Sequence, residues 1–154
     1  MPTYEGSLSK PFHPFAIVAS KFNHEIVEKL VAGAKEALGR HGMGDADIDL
    51  AWVPGAFELP LVAQRLAQSK KYGAVICLGA VIRGDTDHYD YVCTAATNGI
   101  LQAGLATGVP VLFGVLTCDT DEQALDRAGG KDGNKGADVA LAAIEMVNLL
   151  KQLP

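Results

Sequence analysis

Leu78-Gly79-Ala80-Val81-Ile82-Arg83-Gly84-Asp85-Thr86-Asp87-His88-Tyr89 is the stretch that decides the fold of this chain. It closes an apolar run, Ala74 to Ile82, that carries no charge and so reads as a strand buried on both faces. Arg83-Gly84 ends the strand, and Asp85 or Thr86 is placed to cap a helix running on through Ala95 and Leu101. A strand, a glycine turn and a helix start form the junction at which open α/β sheets bind anions, because free backbone N–H groups and the positive helix end point outward there. His88 falls in the first turn of that helix. An imidazole, the side chain most easily poised for proton transfer near neutral pH, is thereby set beside the expected anion site. That combination asks for an enzyme.

The same alternation extends in both directions. Phe15 to Ser20 is a short apolar strand, Asn23 is placed as a helix cap, and Ile26, Val27, Leu30, Val31, Ala34, Ala37 and Leu38 recur at helical spacing until Gly42 and Gly44 stop them. Ile48 to Val53 is a second strand closed by Pro54-Gly55, and Phe57 to Lys70 is a helix. After the helix ending near Thr107, Gly108-Val109-Pro110 leads to a strand over Val111 to Leu116. Asp119 with Glu122 resembles a capping box for a short helix ending near Ala128, Gly129 to Gly136 reads as a turn, and Ala137 to Leu150 is a last amphipathic helix. Successive βα units predict a three-layer α/β/α sandwich around a four-stranded parallel sheet, flavodoxin-like in class. The expectation is one domain over residues 1–154, in which 1–14 lies outside the βα scheme as an extended arm that pairs with a neighbouring subunit.

Composition narrows the class. A length of 154 residues with 49% hydrophobic content is enough for one buried core. A net charge of −5 and the absence of any Lys/Arg run argue against a nucleic-acid partner. Charged residues interrupt every apolar stretch before transmembrane length, so no membrane partner is expected. Met1 to Phe12 has no apolar secretory core, which places the chain in the cytoplasm. Cys77, Cys93 and Cys118 are widely spaced and lack metal-ligand spacing, as expected of buried thiols in a reducing compartment.

In a parallel sheet the ligand site lies beyond the carboxyl ends of the strands, and topology therefore gathers Phe22, Phe57, Glu58, Thr86 and His88 on one rim. Two aromatics can sandwich a flat ring, and Glu58 can accept hydrogen bonds from hydroxyl or ring N–H groups. Each residue also has a plainer reading. Phe57 alone could be helix core, Phe22 a hydrophobic staple, and Glu58 a carboxylate favoured by the helix dipole. Asp85, Asp87, His88 and Asp90 can be drawn as a metal site, but alternate residues on a helical turn do not converge on one ion, so neither metal nor cofactor is expected. No Gly-x-Gly-x-x-Gly fingerprint or Walker-type loop is present.

Lys21-Phe22-Asn23-His24, Val53-Pro54-Gly55-Ala56-Phe57-Glu58-Leu59-Pro60 and Val81-Ile82-Arg83-Gly84-Asp85-Thr86-Asp87-His88 together resemble lumazine synthase. So do Phe113-Gly114-Val115-Leu116-Thr117, Gln123-Ala124-Leu125-Asp126-Arg127-Ala128-Gly129 and Gly133-Asn134-Lys135-Gly136, and the resemblance runs in order over nearly the whole chain. It implies condensation of 5-amino-6-(D-ribitylamino)uracil with 3,4-dihydroxy-2-butanone 4-phosphate to 6,7-dimethyl-8-ribityllumazine, with release of phosphate and water, as the penultimate step of riboflavin synthesis. Carried over by position, it implies that Phe22 and Phe57 hold the pyrimidine, that Glu58 binds ribityl hydroxyls, and that backbone groups around Ala56, Ala80, Val81 and Ile82 read the ring and ribityl edges. Asp85, Thr86 and Arg127 would bind phosphate, and His88 would move protons. Phe113, Arg127, Lys135 and Asp138 would come from the neighbouring subunit; many family members carry Glu at position 138, so Asp138 has a shorter reach. The resemblance also implies a homopentamer. The compact turn 129–136 is similar to that of capsid-forming members, which points to an icosahedral 60-mer with riboflavin synthase as the candidate enclosed partner; a free pentamer or decamer is the alternative. The competing readings are a flavin- or heterocycle-binding module without catalysis and a capsid shell protein of the same fold.

Overall fold

A computed structural model describes residues 1–154. The elements are β1 (Phe15–Ser20), α1 (His24–Arg40), β2 (Ile48–Val53), α2 (Leu59–Gln68), β3 (Ala74–Ile82), α3 (His88–Thr107), β4 (Val111–Cys118), α4 (Asp121–Asp126), β5 (Ala128–Gly130), β6 (Gly133–Asn134) and α5 (Lys135–Leu150). The main sheet has four strands in the order β2-β1-β3-β4, and every pairing in it is parallel.

Strand alternation builds the layers. Phe15, Ile17 and Ala19 of β1 and Ile76, Leu78 and Ala80 of β3 face one core with α1 and α5. Ala16, Val18, Val75 and Cys77 face the other core with α2 and α3. This is the three-layer α/β/α sandwich that the alternating pattern predicts. Burial pushes the Cys77 thiol up to about 12. The three cysteines are free, although Cys93 is only half-buried rather than buried. α3 is weakly anchored for its length. Only Ala96, Ile100 and Ala103 are fully buried, while Tyr91, Leu101 and Leu105 are exposed beside Leu61 of α2. No helix is long and apolar enough to cross a membrane.

Several boundaries differ from the sequence pattern, each for a side-chain reason. Asn23 occupies the position before α1 but does not cap it; at φ 59° it turns its Nδ2 across the sheet to donate to the Ala80 carbonyl at 2.8 Å. The helix expected over Phe57–Lys70 is a 3-10 turn, Ala56–Glu58, followed by α2. Pro60 suits the first turn of α2 because a proline there removes no helical hydrogen bond. α3 starts at His88, later than a cap at Asp85 or Thr86 would place it. Thr120 rather than Asp119 caps α4, accepting from Gln123 N at 3.1 Å, because the Asp119 carboxylate is held by Arg83. β4 continues to Cys118, where it still pairs with Ile82. The turn expected over 129–136 is the β5–β6 hairpin running straight into α5, which begins at Lys135 rather than Ala137.

That last junction is tight. Asn134 Oδ1 accepts from Ala137 N at 3.1 Å, capping α5, while its Nδ2 donates to the Lys29 carbonyl of α1 at 3.0 Å. At Gly136 the two helices come so close that a Cβ would lie 2.0 Å from the Leu30 carbonyl oxygen. Asn134 and Gly136 thus lock α5 to α1 and hold Lys135 between them at the protein surface. Residues 1–14 form no strand. They lie along α5 of their own chain, where Asn148 Nδ2 donates to the carbonyls of Ser7 and Ser9 at 2.8 and 2.9 Å.

Candidate functional site

The strand order reverses between β1 and β3, where connections leave the sheet on opposite faces and open a crevice at the carboxyl ends. Three strand ends are tied together there. Phe22 N donates to the Pro54 carbonyl at 3.1 Å, Lys21 N to Val53 at 2.8 Å, and Asn23 bridges to Ala80. The crevice encloses about 630 Å³, within the range of small-molecule sites. Its lining includes Phe22, Ala56, Phe57, Glu58, Ala80, Val81, Ile82, Thr86 and His88. Phe22 and Phe57 are 70% and 61% exposed, which rules out the staple and core readings for both. Exposed aromatics at the mouth of an apolar crevice are the usual equipment for gripping a flat ring.

The anion end of this crevice is the turn between β3 and α3. His88 is the first residue of α3, solvent-exposed, and its N–H donates to Thr86 Oγ1 at 3.4 Å. Asp85 sits on the same turn, exposed, but outside the lining. Tyr89 and Val92 also line the crevice, as do Asn23, Pro54 and Gly55. Sequence reasoning did not single these out; the adjacency of Tyr89 to His88 was the available signal.

The remaining expected residues lie elsewhere. Phe113, Arg127, Lys135 and Asp138 line a second concavity of about 410 Å³ along the outer side of β4, with Thr117 and Asp132. β4 is an edge strand, and this concavity shares no lining residue with the first. It is polar and cation-bearing. Arg127 Nη1 donates to the Gln123 carbonyl at 3.0 Å and lies 3.6 Å from Asp132 Oδ2. Lys135 makes no ion pair, whereas Lys131, read as a solubilising residue, pairs with Asp126 at 3.7 Å.

Arg83 stands between the two. It does not line either concavity. Its Nε donates to Asp119 Oδ1 at 2.9 Å, and that hydrogen bond is the chief reason its pKa is raised. Burial raises the Tyr89 phenol, which lies beside Cys93 and Thr117.

The two concavities have complementary linings. The first has a ring slot, a carboxylate and an imidazole but no cation in its lining; the second has cations and an aromatic but no ring slot. The family model for 6,7-dimethyl-8-ribityllumazine synthase matches residues 13–151, a span that takes in both concavities and every element between them. On that match, the chain belongs to the 6,7-dimethyl-8-ribityllumazine synthase family, and with it to riboflavin biosynthesis.

Proposed function

We propose that this chain condenses 5-amino-6-(D-ribitylamino)uracil with 3,4-dihydroxy-2-butanone 4-phosphate to 6,7-dimethyl-8-ribityllumazine, releasing phosphate and water, in a single-domain protein of the cytoplasm. The observation that carries this reading is the sorting of the family-matched residues into two separate concavities of one chain. Such a division suits a site closed by the next copy of the chain in a ring. One chain supplies Phe22, Ala56, Phe57, Glu58, Ala80, Val81, Ile82, Asp85, Thr86 and His88, and its neighbour supplies Phe113, Arg127, Lys135 and Asp138. The exposure of the large apolar side chains Leu61 on α2 and Tyr91, Leu101 and Leu105 on α3 supports such an assembly, because apolar surface is costly to leave in water. On this reading the copies form a pentamer, and twelve pentamers close into an icosahedral shell.

The chemistry fits the parts. Phe22 and Phe57 flank the pyrimidine, and Glu58 accepts from ribityl hydroxyls. The amine adds to the ketone carbonyl, and the carbinolamine loses water to give an imine. A proton α to the imine then leaves as phosphate departs. The resulting enol tautomerises to a ketone, the ribitylamino nitrogen adds to that carbonyl, and loss of a second water closes the ring. His88 is the group placed to accept and return those protons. Much of the acceleration is assembly, since holding two reactants in register supplies up to about 7–11 kcal/mol. The phosphate sits between Thr86 and the neighbour's Arg127.

Purified protein mixed with both substrates should form fluorescent lumazine faster than a protein-free control, with phosphate released in step. Binding of the uracil without acceleration would favour the non-catalytic module instead. Mixed oligomers test the shared site directly. His88→Ala and Lys135→Ala chains, each nearly inactive alone, should regain about one quarter of wild-type activity when co-assembled in equal amounts, because random pairing restores that share of interfaces. No recovery in verified mixed oligomers would mean that the site is closed within one chain. Arg127→Ala should raise KM for the phosphorylated substrate about tenfold or more by removing a charge-assisted contact, while KM for the uracil stays put. The opposite pattern would remove Arg127 from the phosphate subsite.

A further inference from the structure

Arg83 reaches three partners on two neighbouring elements. Besides Asp119 at 2.9 Å, its Nη1 lies 3.7 Å from Asp90 Oδ1, and its guanidinium carbon stacks 4.3 Å from the centroid of the Tyr89 ring. Its own backbone N–H donates to the Cys118 carbonyl at the end of β4. Among residues 83–88, all exposed, it is the only one whose side chain hydrogen-bonds a residue outside that stretch. From Asp119 the contacts continue. Asp119 N donates to Gln123 Oε1 at 2.8 Å, and the Gln123 carbonyl holds Arg127 at 3.0 Å. An unbroken series of polar contacts therefore joins the turn bearing Thr86 and His88 to the cation of the second concavity. Tyr89, under the guanidinium, lines the first concavity, while Thr117, beside the phenol, lines the second.

We propose that Arg83 is a positioning residue: it fixes the 84–88 turn against the β4–α4 turn, and so sets His88 and Thr86 for one reaction site and Arg127 for the adjoining one. This rests on the reaction assigned above. Two carboxylates already hold the guanidinium, so it is not presented to a substrate phosphate. An exposed ion pair of this kind adds little to folding stability. Its effect is geometric, and misplacing a catalytic group by about 1 Å can cost on the order of 10²-fold in rate. Lysine cannot substitute, because it has neither the fork that spans two carboxylates nor the plane that stacks on Tyr89.

The experiment compares wild type, Arg83→Lys, Asp119→Asn, His88→Ala and the His88→Ala/Arg83→Lys double variant as full-length oligomers, by kcat, KM and thermal melting. Arg83→Lys and Asp119→Asn should each lower kcat about tenfold, with KM for the uracil and the melting temperature nearly unchanged. In the His88→Ala background, Arg83→Lys should cost less than about twofold in kcat, because of the groups it positions only His88 acts on kcat, whereas Thr86 and Arg127 act on KM for the phosphorylated substrate. Wild-type kcat in Arg83→Lys would overturn the inference, as would an equal loss in both backgrounds. Wild type that fails to accelerate the condensation would overturn the assigned reaction and this inference with it. An active wild type with an unaffected Arg83→Lys overturns this inference alone.

Discussion

His88→Ala is expected to lower kcat by about 10²–10⁴-fold while leaving the affinity for the ribitylaminouracil close to that of wild type. That loss corresponds to about 3–5 kcal/mol of transition-state stabilisation. The size follows from what else the crevice offers. Of its lining residues, His88 is the only imidazole and Glu58 the only carboxylate. Glu58 ends the 3-10 turn that carries Phe57, whereas His88 opens α3 after the turn that carries Thr86. Removing the imidazole leaves water to carry the protons that must leave and return during imine formation and phosphate loss. The remaining rate comes from holding the two substrates in register, so the variant should still exceed the uncatalysed reaction. Single-turnover formation of lumazine, with both substrates saturating, measures this. A kcat equal to wild type would remove His88 from proton transfer and leave it a spectator at the helix start.

Gly136→Ala should be among the most damaging single substitutions in the chain. The added methyl would lie 2.0 Å from the Leu30 carbonyl oxygen and 2.7 Å from its carbon, both backbone atoms with no rotamer to yield. Helices α1 and α5 would have to part along the contact that buries Leu30, Val31, Ala34, Val139, Ala140 and Ala143. Overpacking of this kind costs typically 1–3 kcal/mol and more when backbone opposes backbone, so a loss of about 3 kcal/mol is expected. For a chain of this size that lowers Tm by on the order of 10 °C. Activity should fall as well, because Lys135 is the preceding residue. Gly39→Ala is the control: nothing lies within 4 Å of its would-be Cβ, and alanine favours the helix it occupies. A Gly136→Ala melting curve matching that of Gly39→Ala would mean that α5 does not sit on α1 as described.

The sequence was most legible where a single physical demand acts on a segment. Strands β1 and β3 coincide with the apolar runs expected at 15–20 and 74–82, because burial decides those residues, and β2 with the strand expected at 48–53. Helix starts were read less well, since the polar residues near them serve two masters. Asn23 looks like a cap and instead ties β1 to β3, and Asp119 looks like a cap and instead holds Arg83. Capping preference is local, whereas both of those partners are distant in sequence. Phe22 and Phe57 were ambiguous for a related reason: an apolar side chain near a helix start reads the same whether it packs inward or waits for a ligand. Their exposure is visible only in three dimensions. The resemblance to lumazine synthase named the residues of both half-sites. What no motif displays is the strut between them, because Arg83 meets Asp119 at 36 residues' separation.

That strut has a consequence for how such a chain can change over generations. Arg83, Tyr89, Thr117 and Asp119 form a partition with one concavity on each side, so any substitution in it alters two surfaces at once. A residue on the rim of either concavity can drift when its own ligand contact tolerates the change. A partition residue must satisfy both faces in the same step, and the neighbours that pack on it must follow. Positions 83, 89, 117 and 119 should therefore be inherited as a block, replaced together or not at all, while residues that line only one concavity vary one at a time.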